Sequence, residues 1–281
     1  MEKYSILGNI LFPPAFLNKQ KLAEVLNGKV ILITGASSGI GEELAYYLAD
    51  IPAHLILTAR RKEKLLSMKD EIENKTARVT VFGADLRNNT ELEGLLTLIH
   101  QLPDGLDYVI SNAGLSIRRS VYDSLDRFHD YTRTMAVNYF APLQLLLSVI
   151  PILQKSGGQI INISTVNALI MPVPYFAAYQ ASKSAFDTLF RSVSPELNAK
   201  GIFTTTIYLP LVKTPMIRPT KAYDNIPAMN PTHVAKIICR TMLTKRKKYK
   251  PWWLFFAQLA SVLFRGIWDL FIPVTIKKKG L

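Results

Sequence analysis

The sequence has almost no cysteine and, along most of its length, little excess charge. Cys239 is the only cysteine, which excludes an internal disulfide and favours a reducing compartment such as the cytoplasm. The four histidines have no metal-ligand spacing, so no metal site is predicted. A convincing signal peptide is also lacking, because Pro13 and Pro14 interrupt a short apolar run and no small-residue cleavage pattern follows. Internal repeats and low-complexity linkers are missing as well.

Positive charge is concentrated at the end of the chain. Of 34 basic residues 11 lie after residue 235, whereas only one of the 21 acidic residues does. The apolar run 252–264 lies among them and is too short to span a bilayer. Aromatic residues beside basic clusters suit a helix on an anionic membrane surface, and packing on the body or on a dimer partner is the alternative. Because the aromatics do not alternate with cations, nucleic-acid binding is not expected.

Short, apolar, β-branched runs alternate with amphipathic stretches of helical spacing. Continuous hydrophobicity suits strands that are covered on both faces, and repeated βα units imply a parallel sheet. We predict an α/β fold with one Rossmann-type doubly wound sheet, in the order 3-2-1-4-5-6 with room for a seventh strand. The predicted domain is 28–244, preceded by an appendage (1–27) and followed by a basic, apolar, helical tail (245–281). The predicted strands are 29–34, 54–59, 78–83, 107–111, 158–164 and 202–209.

A glycine-rich turn, TGASSGIG at 34–41, joins the first strand to the first helix of the predicted sheet. Its glycines let the backbone turn sharply and approach a pyrophosphate, which then meets the free N–H groups of the helix N-terminus. An ordinary turn is the alternative, but the strand-turn-helix context favours a dinucleotide. The candidate cofactor residues of this turn are Gly35, Ser37, Ser38, Gly39, Ile40 and Gly41.

The second strand ends in LTARRKEK, with no acid until Glu63. An NAD site usually offers a carboxylate here to the ribose 2′-hydroxyl, whereas arginine pairs with a 2′-phosphate. Arg60 and Arg61 therefore favour NADPH over NADH. The alternative is that they begin a solvated helix face.

Tyr179 and Lys183 are four residues apart, which places them on one helix face, one turn apart. A free tyrosine has a pKa near 10, and a neighbouring ammonium would lower it towards the working pH of a proton-transfer site. Two hydroxyls, Ser164 and Thr165, precede the pair at the end of a predicted strand.

The ordered set of TGASSGIG, GADL, SNAG (111–114), AVNYF and the Tyr-x3-Lys pair resembles the short-chain dehydrogenase/reductase family. The resemblance implies an NADP-dependent oxidoreductase in which Tyr179 donates the proton. It also implies that Asn138 holds a water chain behind Lys183, which in turn holds the nicotinamide ribose. The nucleotide would be contacted by Asp85 and Leu86 at the adenine, and by Asn112, Ala113, Gly114, Pro210, Val212 and Thr214 elsewhere.

The family's catalytic hydroxyl commonly lies thirteen residues before the tyrosine, and here that residue is Val166. When the sequences are aligned on the predicted strand instead, NIST (162–165) matches the NISS of the family. This alignment favours Thr165, with Ser164 as competitor, and makes the loop 166–178 one residue longer.

Residues 111–140 and 209–227 closely resemble the bacterial fatty acyl-CoA reductases of short-chain type. That likeness implies reduction of a long-chain acyl-CoA to a fatty aldehyde with NADPH. It predicts that 211–227 forms a lid, and that CoA phosphates meet Arg118, Arg119, Arg218 and Lys221. Surface cations are the alternative for these four.

Two other functions stay open at this point. One is a reductase of another lipid ketone, aldehyde or alcohol, such as a 3-oxoacyl, sphingoid or steroid-like compound. The other is a catalytically idle nucleotide-binding module that docks on a membrane or a partner. The family resemblance also predicts a homo-oligomer that pairs through the helices after strands four and five.

Overall fold

The computed structural model describes residues 4–220, 223 and 225–278. Its centre is a parallel sheet in the order β3-β2-β1-β4-β5-β6-β7, so the predicted fold, strand order and seventh strand are confirmed. The strands are β1 (Val30–Thr34), β2 (His54–Ala59), β3 (Arg78–Gly83), β4 (Tyr108–Ser111), β5 (Gln159–Thr165), β6 (Phe203–Leu209) and β7 (Lys248–Tyr249).

Helices cover both faces of the sheet. One face packs on α3 (Gly39–Leu48), α4 (Lys62–Glu73) and α9 (Pro231–Thr244), and the other on α5 (Asn89–His100), α7 (Ala141–Ser156) and α8 (Ala177–Ala199). Successive residues of β1 alternate between the two cores: Ile31 and Ile33 belong to the first, Val30 and Leu32 to the second. Side chains of a strand point alternately to opposite faces, which explains why these runs are apolar throughout.

A helix longer than its neighbours crosses the second face. It begins as α6 (Phe128–Met135), passes through a π-helical turn (Ala136–Phe140) and continues as α7. By length and composition the combined helix Phe128–Ser156 could cross a membrane, a test that core helices also pass. Here Leu145, Leu146 and Val149 are buried in the core.

The N-terminal segment packs on the body. It contains α1 (Ile6–Leu11) and α2 (Lys19–Leu26), and its side chains Phe12, Leu22 and Leu26 are buried in the first core. The Tyr4 hydroxyl accepts a hydrogen bond from the backbone N–H of Asn230 at 2.7 Å and lies 3.1 Å from Nδ1 of His233. These contacts join the predicted appendage to the start of α9.

The C-terminal segment is divided between the body and the surface. Strand β7 extends the sheet beyond residue 244, the predicted end of the domain, and Leu254 is fully buried. Helices α10 (Leu254–Leu263) and α11 (Arg265–Lys278) follow, with a bend of 90° between them. The indole N–H of Trp252 donates to the carbonyl of Ile10 at 2.9 Å, so the two terminal segments touch.

Candidate active site

A cavity of about 650 Å³ opens at the carboxyl ends of the strands. Each of the first six strands contributes residues to its wall. The carboxyl ends of the strands are where ligands bind in open parallel sheets. Residues that follow or end β1 to β6 in turn include Gly35, Arg60, Asp85, Asn112, Thr165 and Pro210.

The glycine turn is packed tightly against the end of β4. Gly35 has a φ of 67°, and a Cβ on it would lie 2.9 Å from the Cα of Ala113. The Asn112 amide donates to the carbonyl of Thr34 at 2.9 Å, while the Thr34 hydroxyl accepts from the backbone N–H groups of Asn112 (2.9 Å) and Ala113 (3.0 Å). Sequence reasoning missed this role of Thr34, and a hydroxyl at a strand end is its only signal.

The N-terminus of α3 faces the cavity. Ser38 precedes the helix without a side-chain hydrogen bond to it, so the N–H groups of the first turn are not capped by that residue. Ser37, Ser38, Gly39 and Ile40 line the cavity. Gly41 does not line it; a Cβ there would lie 2.5 Å from the carbonyl oxygen of Gly35, so it shapes the turn from behind.

The two arginines after β2 differ in their contacts. Arg61 donates from Nη2 to the carbonyl and the hydroxyl of Ser37, at 2.7 and 3.2 Å, and so braces the glycine turn. Arg60 is exposed and lines the cavity, with no ion pair in the described part of the chain. Asp85 accepts from Nε of Arg87 at 3.0 Å, and this hydrogen bond lowers the pKa of Asp85. The nearby carboxylate is therefore already paired with a guanidinium.

Thr165 and Ser164 point to different partners. The Thr165 hydroxyl lies close enough to the Tyr179 side chain to act on its pKa, and its Oγ1 accepts from the backbone N–H of Asn167 at 3.3 Å. The Ser164 hydroxyl donates to Oδ1 of buried Asp187 at 3.5 Å. Neighbouring side chains of a strand diverge, so only one of the two hydroxyls meets the tyrosine.

Tyr179 and Lys183 lie on α8 and both line the cavity. Burial raises the pKa of Tyr179 to about 12, although the neighbouring Thr165 hydroxyl acts to lower it. Burial lowers the pKa of Lys183 to about 8, and its ammonium donates to the carbonyl of Ile163 at 3.0 Å. The predicted lowering of the Tyr179 pKa is thus wrong in this structure, because desolvation by burial is the largest influence on it and raises it. With this raised pKa, Tyr179 is protonated at neutral pH, as a proton donor must be.

Asn138 occupies the π-helical turn beside the lysine. Its amide donates to the carbonyl of Leu115 at 2.8 Å and to the Ser182 hydroxyl at 2.9 Å, and its oxygen accepts from the N–H of Leu115 at 2.8 Å. A Cβ on Gly114 would lie 3.3 Å from Oδ1 of Asn138 and 3.5 Å from Nζ of Lys183. Glycine therefore lets these two polar groups approach the same point.

The family model described as short chain dehydrogenase matches residues 29–225. The chain belongs to the short-chain dehydrogenase family. It is 42% identical over 226 residues to a fatty acyl-CoA reductase of Acinetobacter baylyi, covering 80% of this chain and 76% of that one. A fatty acyl-CoA reductase of Mycobacterium tuberculosis is 37% identical over 241 residues, covering 85% and 82%. The predicted family and the oxidoreductase class are confirmed.

Two solved structures of short-chain dehydrogenases have the same fold. An enzyme of Sphingobium yanoikuyae in complex with NADPH has a TM-score of 0.73 at 21% identity, covering 90% of this chain and 95% of that one. A metagenomic short-chain oxidoreductase in complex with NADP has a TM-score of 0.67 at 26% identity, covering 78% and 92%.

The loops after β4 and β6 line a further part of the cavity of this short-chain dehydrogenase. Arg118 lines the cavity, with its guanidinium carbon 5.0 Å from the ring centroid of Tyr175. Arg119 instead contacts Asp130, Arg218 is exposed away from the cavity wall, and Lys221 lies outside the described residues. Of the predicted lid, the residues on the cavity wall are Leu211, Val212, Thr214, Pro215, Met216, Ile217, Pro219, Thr220, Tyr223 and Ile226.

Proposed function

We propose that this protein is an NADPH-dependent reductase that converts a long-chain fatty acyl-CoA to the fatty aldehyde. The observation that carries the proposal is the match to two fatty acyl-CoA reductases, at 42% and 37% identity over most of the chain. The cavity wall supports a lipid substrate, because Leu211, Met216, Ile217 and Ile226 line it beside Tyr179.

The cofactor site fits NADPH on two observations. The N-terminus of α3 has no cap from Ser38, which suits a pyrophosphate, and the exposed guanidinium of Arg60 on the cavity wall suits a 2′-phosphate. NADPH supplies the hydride for the thioester carbon. The residues that would hold it are Gly35, Ser37, Ser38, Gly39, Ile40, Arg60, Asp85, Leu86, Asn112, Ala113, Gly114, Pro210, Val212 and Thr214, with Gly41 shaping the turn and Tyr179 and Lys183 at the ribose.

The catalytic groups can complete the reduction in two steps. The Thr165 hydroxyl donates a hydrogen bond to the carbonyl oxygen, and Tyr179 transfers its proton to that oxygen as the carbon accepts hydride. The resulting hemithioacetal loses its C–S bond, giving aldehyde and the free CoA thiol. The tyrosinate then regains a proton from water, and the ammonium of Lys183, near Asn138 and Gly114, would hold the nicotinamide ribose. Ser164, bonded to Asp187, supports the strand end rather than the substrate.

The test is NADPH oxidation by the purified protein with palmitoyl-CoA, with free thiol and aldehyde measured in the same reaction. Both products should appear in equal amounts. A Tyr179→Phe variant should lose activity by about 10²–10⁴-fold, since it removes the proton donor. NADPH binding without thiol release would reject the acyl-CoA assignment.

A second candidate is reduction of a lipid ketone or aldehyde. It is supported by 32% identity over 237 residues to a hydroxysteroid 11-beta-dehydrogenase 1-like protein of Gallus gallus. NADPH oxidation with such a substrate, without thiol release from acyl-CoA, would favour it. Binding of NADPH with no turnover of any lipid carbonyl would instead favour the idle module.

We further propose that the C-terminal helices attach the enzyme to the inner face of an anionic membrane. Phe255, Val262, Leu270 and Phe271 are each at least 65% exposed, and the basic residues 245–248 lie just before α10. Apolar side chains beside lysines suit the interface of such a bilayer. The cytoplasmic location remains a prediction, as does pairing through α7 and α8.

A further inference from the structure

A nearly fully buried carboxylate holds three arginines at the start of α6. Asp130 is 2% exposed, and its two oxygens lie 3.1 Å from Nε of Arg119, 3.1 Å from Nε of Arg127 and 2.7 Å from Nη2 of Arg133. His129 Nε2 is 3.4 Å away. We call Arg119, Arg127 and Arg133 the arginine cluster.

The arginine cluster carries more positive charge than Asp130 neutralises. Burial acts to raise the pKa of Asp130, but the Arg127 hydrogen bond and the charges of Arg133 and Arg127 outweigh it and lower that pKa. The carboxylate is therefore ionised at neutral pH, and three guanidinium groups surround a single negative charge. One bidentate arginine would satisfy a carboxylate, so two positive charges remain in excess.

Most nitrogen atoms of the arginine cluster are available to a ligand. Each guanidinium contacts Asp130 through one nitrogen, and the three side chains are 34–37% exposed. Nε of Arg133 is itself buried, so a ligand would meet the exposed terminal nitrogens of the arginine cluster. Guanidinium groups that are fixed in place, partly desolvated and short of partners suit phosphate oxygens.

The arginine cluster begins where the wall of the catalytic cavity ends. The wall runs through Ile117 and Arg118, and the next residue, Arg119, reaches Asp130 with its side chain. The backbone N–H of Arg119 also donates to the carbonyl of Tyr175 at 2.8 Å, in the loop between β5 and α8. This bond ties the cluster to the same loop whose other end carries Asn167 on the cavity wall.

We propose that the arginine cluster binds the phosphates at the nucleotide end of the CoA thioester. This inference rests on the proposed acyl-CoA activity. In CoA the pantetheine arm separates the phosphates from the thioester carbonyl, so their site must lie beside the catalytic cavity and not within it. Arg118, on the cavity wall, would follow the arm between the two.

The experiment compares palmitoyl-CoA with the palmitoyl thioester of N-acetylcysteamine, which lacks the nucleotide end. Arg127→Gln and Arg133→Gln should each raise KM for palmitoyl-CoA about tenfold, because each removes a charge-assisted phosphate contact. KM for the truncated thioester and kcat for both should stay unchanged. The matched control is Arg78→Gln, which removes an arginine paired with Asp104 at the opposite end of the strands and should change neither KM.

A second measurement uses adenosine 3′,5′-bisphosphate as the probe. At saturating NADPH it should inhibit the wild-type enzyme competitively with palmitoyl-CoA, and about tenfold more weakly in each variant of the arginine cluster. At saturating NADPH the nucleotide site is occupied, so this inhibition reports the second site.

Three results would separate the hypotheses. Equal KM changes for both thioesters would show that the arginines only brace the loop, and would overturn the proposal. Equal wild-type KM values for the two thioesters, without inhibition by the bisphosphate, would overturn it even if the variants failed to fold. If neither thioester is reduced, the proposed function fails, and calorimetric binding of the bisphosphate to the NADPH complex then decides the phosphate site by itself.

Discussion

Two helical regions of this protein are rich in apolar residues but differ in where those residues lie. In α7, Leu145, Leu146, Val149 and Leu153 are at most 3% exposed and pack against the sheet. In the C-terminal pair α10–α11, most of the large apolar side chains are exposed, and Val262 and Leu270 reach 76% and 72%. By length and hydrophobicity the combined helix Phe128–Ser156, which ends in α7, could cross a membrane, and α10–α11 could do so only as a bent pair.

The difference shows that hydrophobicity identifies a helix that needs a partner but does not identify the partner. The sheet covers α7, because α7 connects two of its strands. In α10 the contacts with the body are fewer: Leu254 and the preceding Trp253 pack near Val166 and Tyr208, and the Ser261 hydroxyl accepts from the backbone N–H of Met171 at 3.2 Å. The exposed side chains Phe255, Val262, Leu270 and Phe271 have no such cover in the described part of the chain, which is the basis of the membrane proposal.

Truncation of one leucine in each region tests the comparison most strongly. Leu146→Ala should lower the free energy of unfolding by about 2–5 kcal/mol, because it leaves a cavity in the core. Leu270→Ala should change it by less than about 0.5 kcal/mol, since the side chain is exposed. Urea denaturation of both variants measures the difference. A similar loss in both would mean that α11 is covered in solution, for example by a second copy of the chain.

The two adjacent hydroxyls of β5 extend the comparison to the active site. Ser164 and Thr165 are both buried, but their side chains point to different partners. Thr165→Val should lower kcat about a hundredfold, because it removes a hydrogen-bond donor to the developing oxyanion. Ser164→Ala should have a much smaller effect, since that hydroxyl meets Asp187. Steady-state kinetics with palmitoyl-CoA compares them, and a larger loss for Ser164→Ala would reverse the assignment.

Polar substitutions in α10 and α11 test the exposed member of the comparison. Phe255→Ser and Phe271→Ser should each weaken binding to vesicles that contain anionic lipid by about tenfold, because each removes a buried aromatic contact with the bilayer. Activity on a short, water-soluble thioester should be unchanged. Co-sedimentation measures binding, and Leu66→Ser, which alters an exposed apolar residue of α4, is the control. Equal binding by all variants would contradict membrane attachment through the tail.

The burial of Lys183 also predicts that turnover depends on pH. Burial places the pKa of Lys183 at about 8, so its ammonium is present below pH 8 and is lost as the pH rises through that value. Turnover should therefore be constant near pH 7, fall to about half at pH 8 and decrease about tenfold for each further unit. Tyr179, with a pKa of about 12, stays protonated over this range. A Lys183→Arg variant should lack the fall near pH 8, and persistence of that fall would assign it to another group.

Much of the sheet could be predicted from the sequence because its strands are continuous apolar runs. Each of the first six strands begins and ends within one residue of its predicted limits. Strand β7 could not be found in this way, because Lys248 and Tyr249 lie in a basic segment and form a strand only by pairing with Thr206 and Ile207. Its existence depends on tertiary contact and not on local pattern.

The candidate site was predictable where sequence spacing reports spatial proximity. Tyr179 and Lys183 share a helix face, so their relation follows from the interval between them. The choice between Ser164 and Thr165 depends on the direction in which each side chain points at the end of β5. The sequence does not give that direction, because counting thirteen residues back from Tyr179 reaches Val166 and neither hydroxyl. The arginine cluster was hidden because Arg119 precedes α6 and meets Arg133 only through Asp130.

The contact between the chain's two terminal segments has a consequence for its synthesis. Ile10 meets Trp252, 242 positions later, and Tyr4 meets Asn230, 226 positions later. On the ribosome the N-terminal segment therefore emerges long before its partners, by on the order of 10–50 s at typical elongation rates. During that interval Phe12, which ends deep in the core, has no completed surface to cover it. The nascent chain thus presents an early apolar segment that a chaperone can hold until the last strand and helices are made.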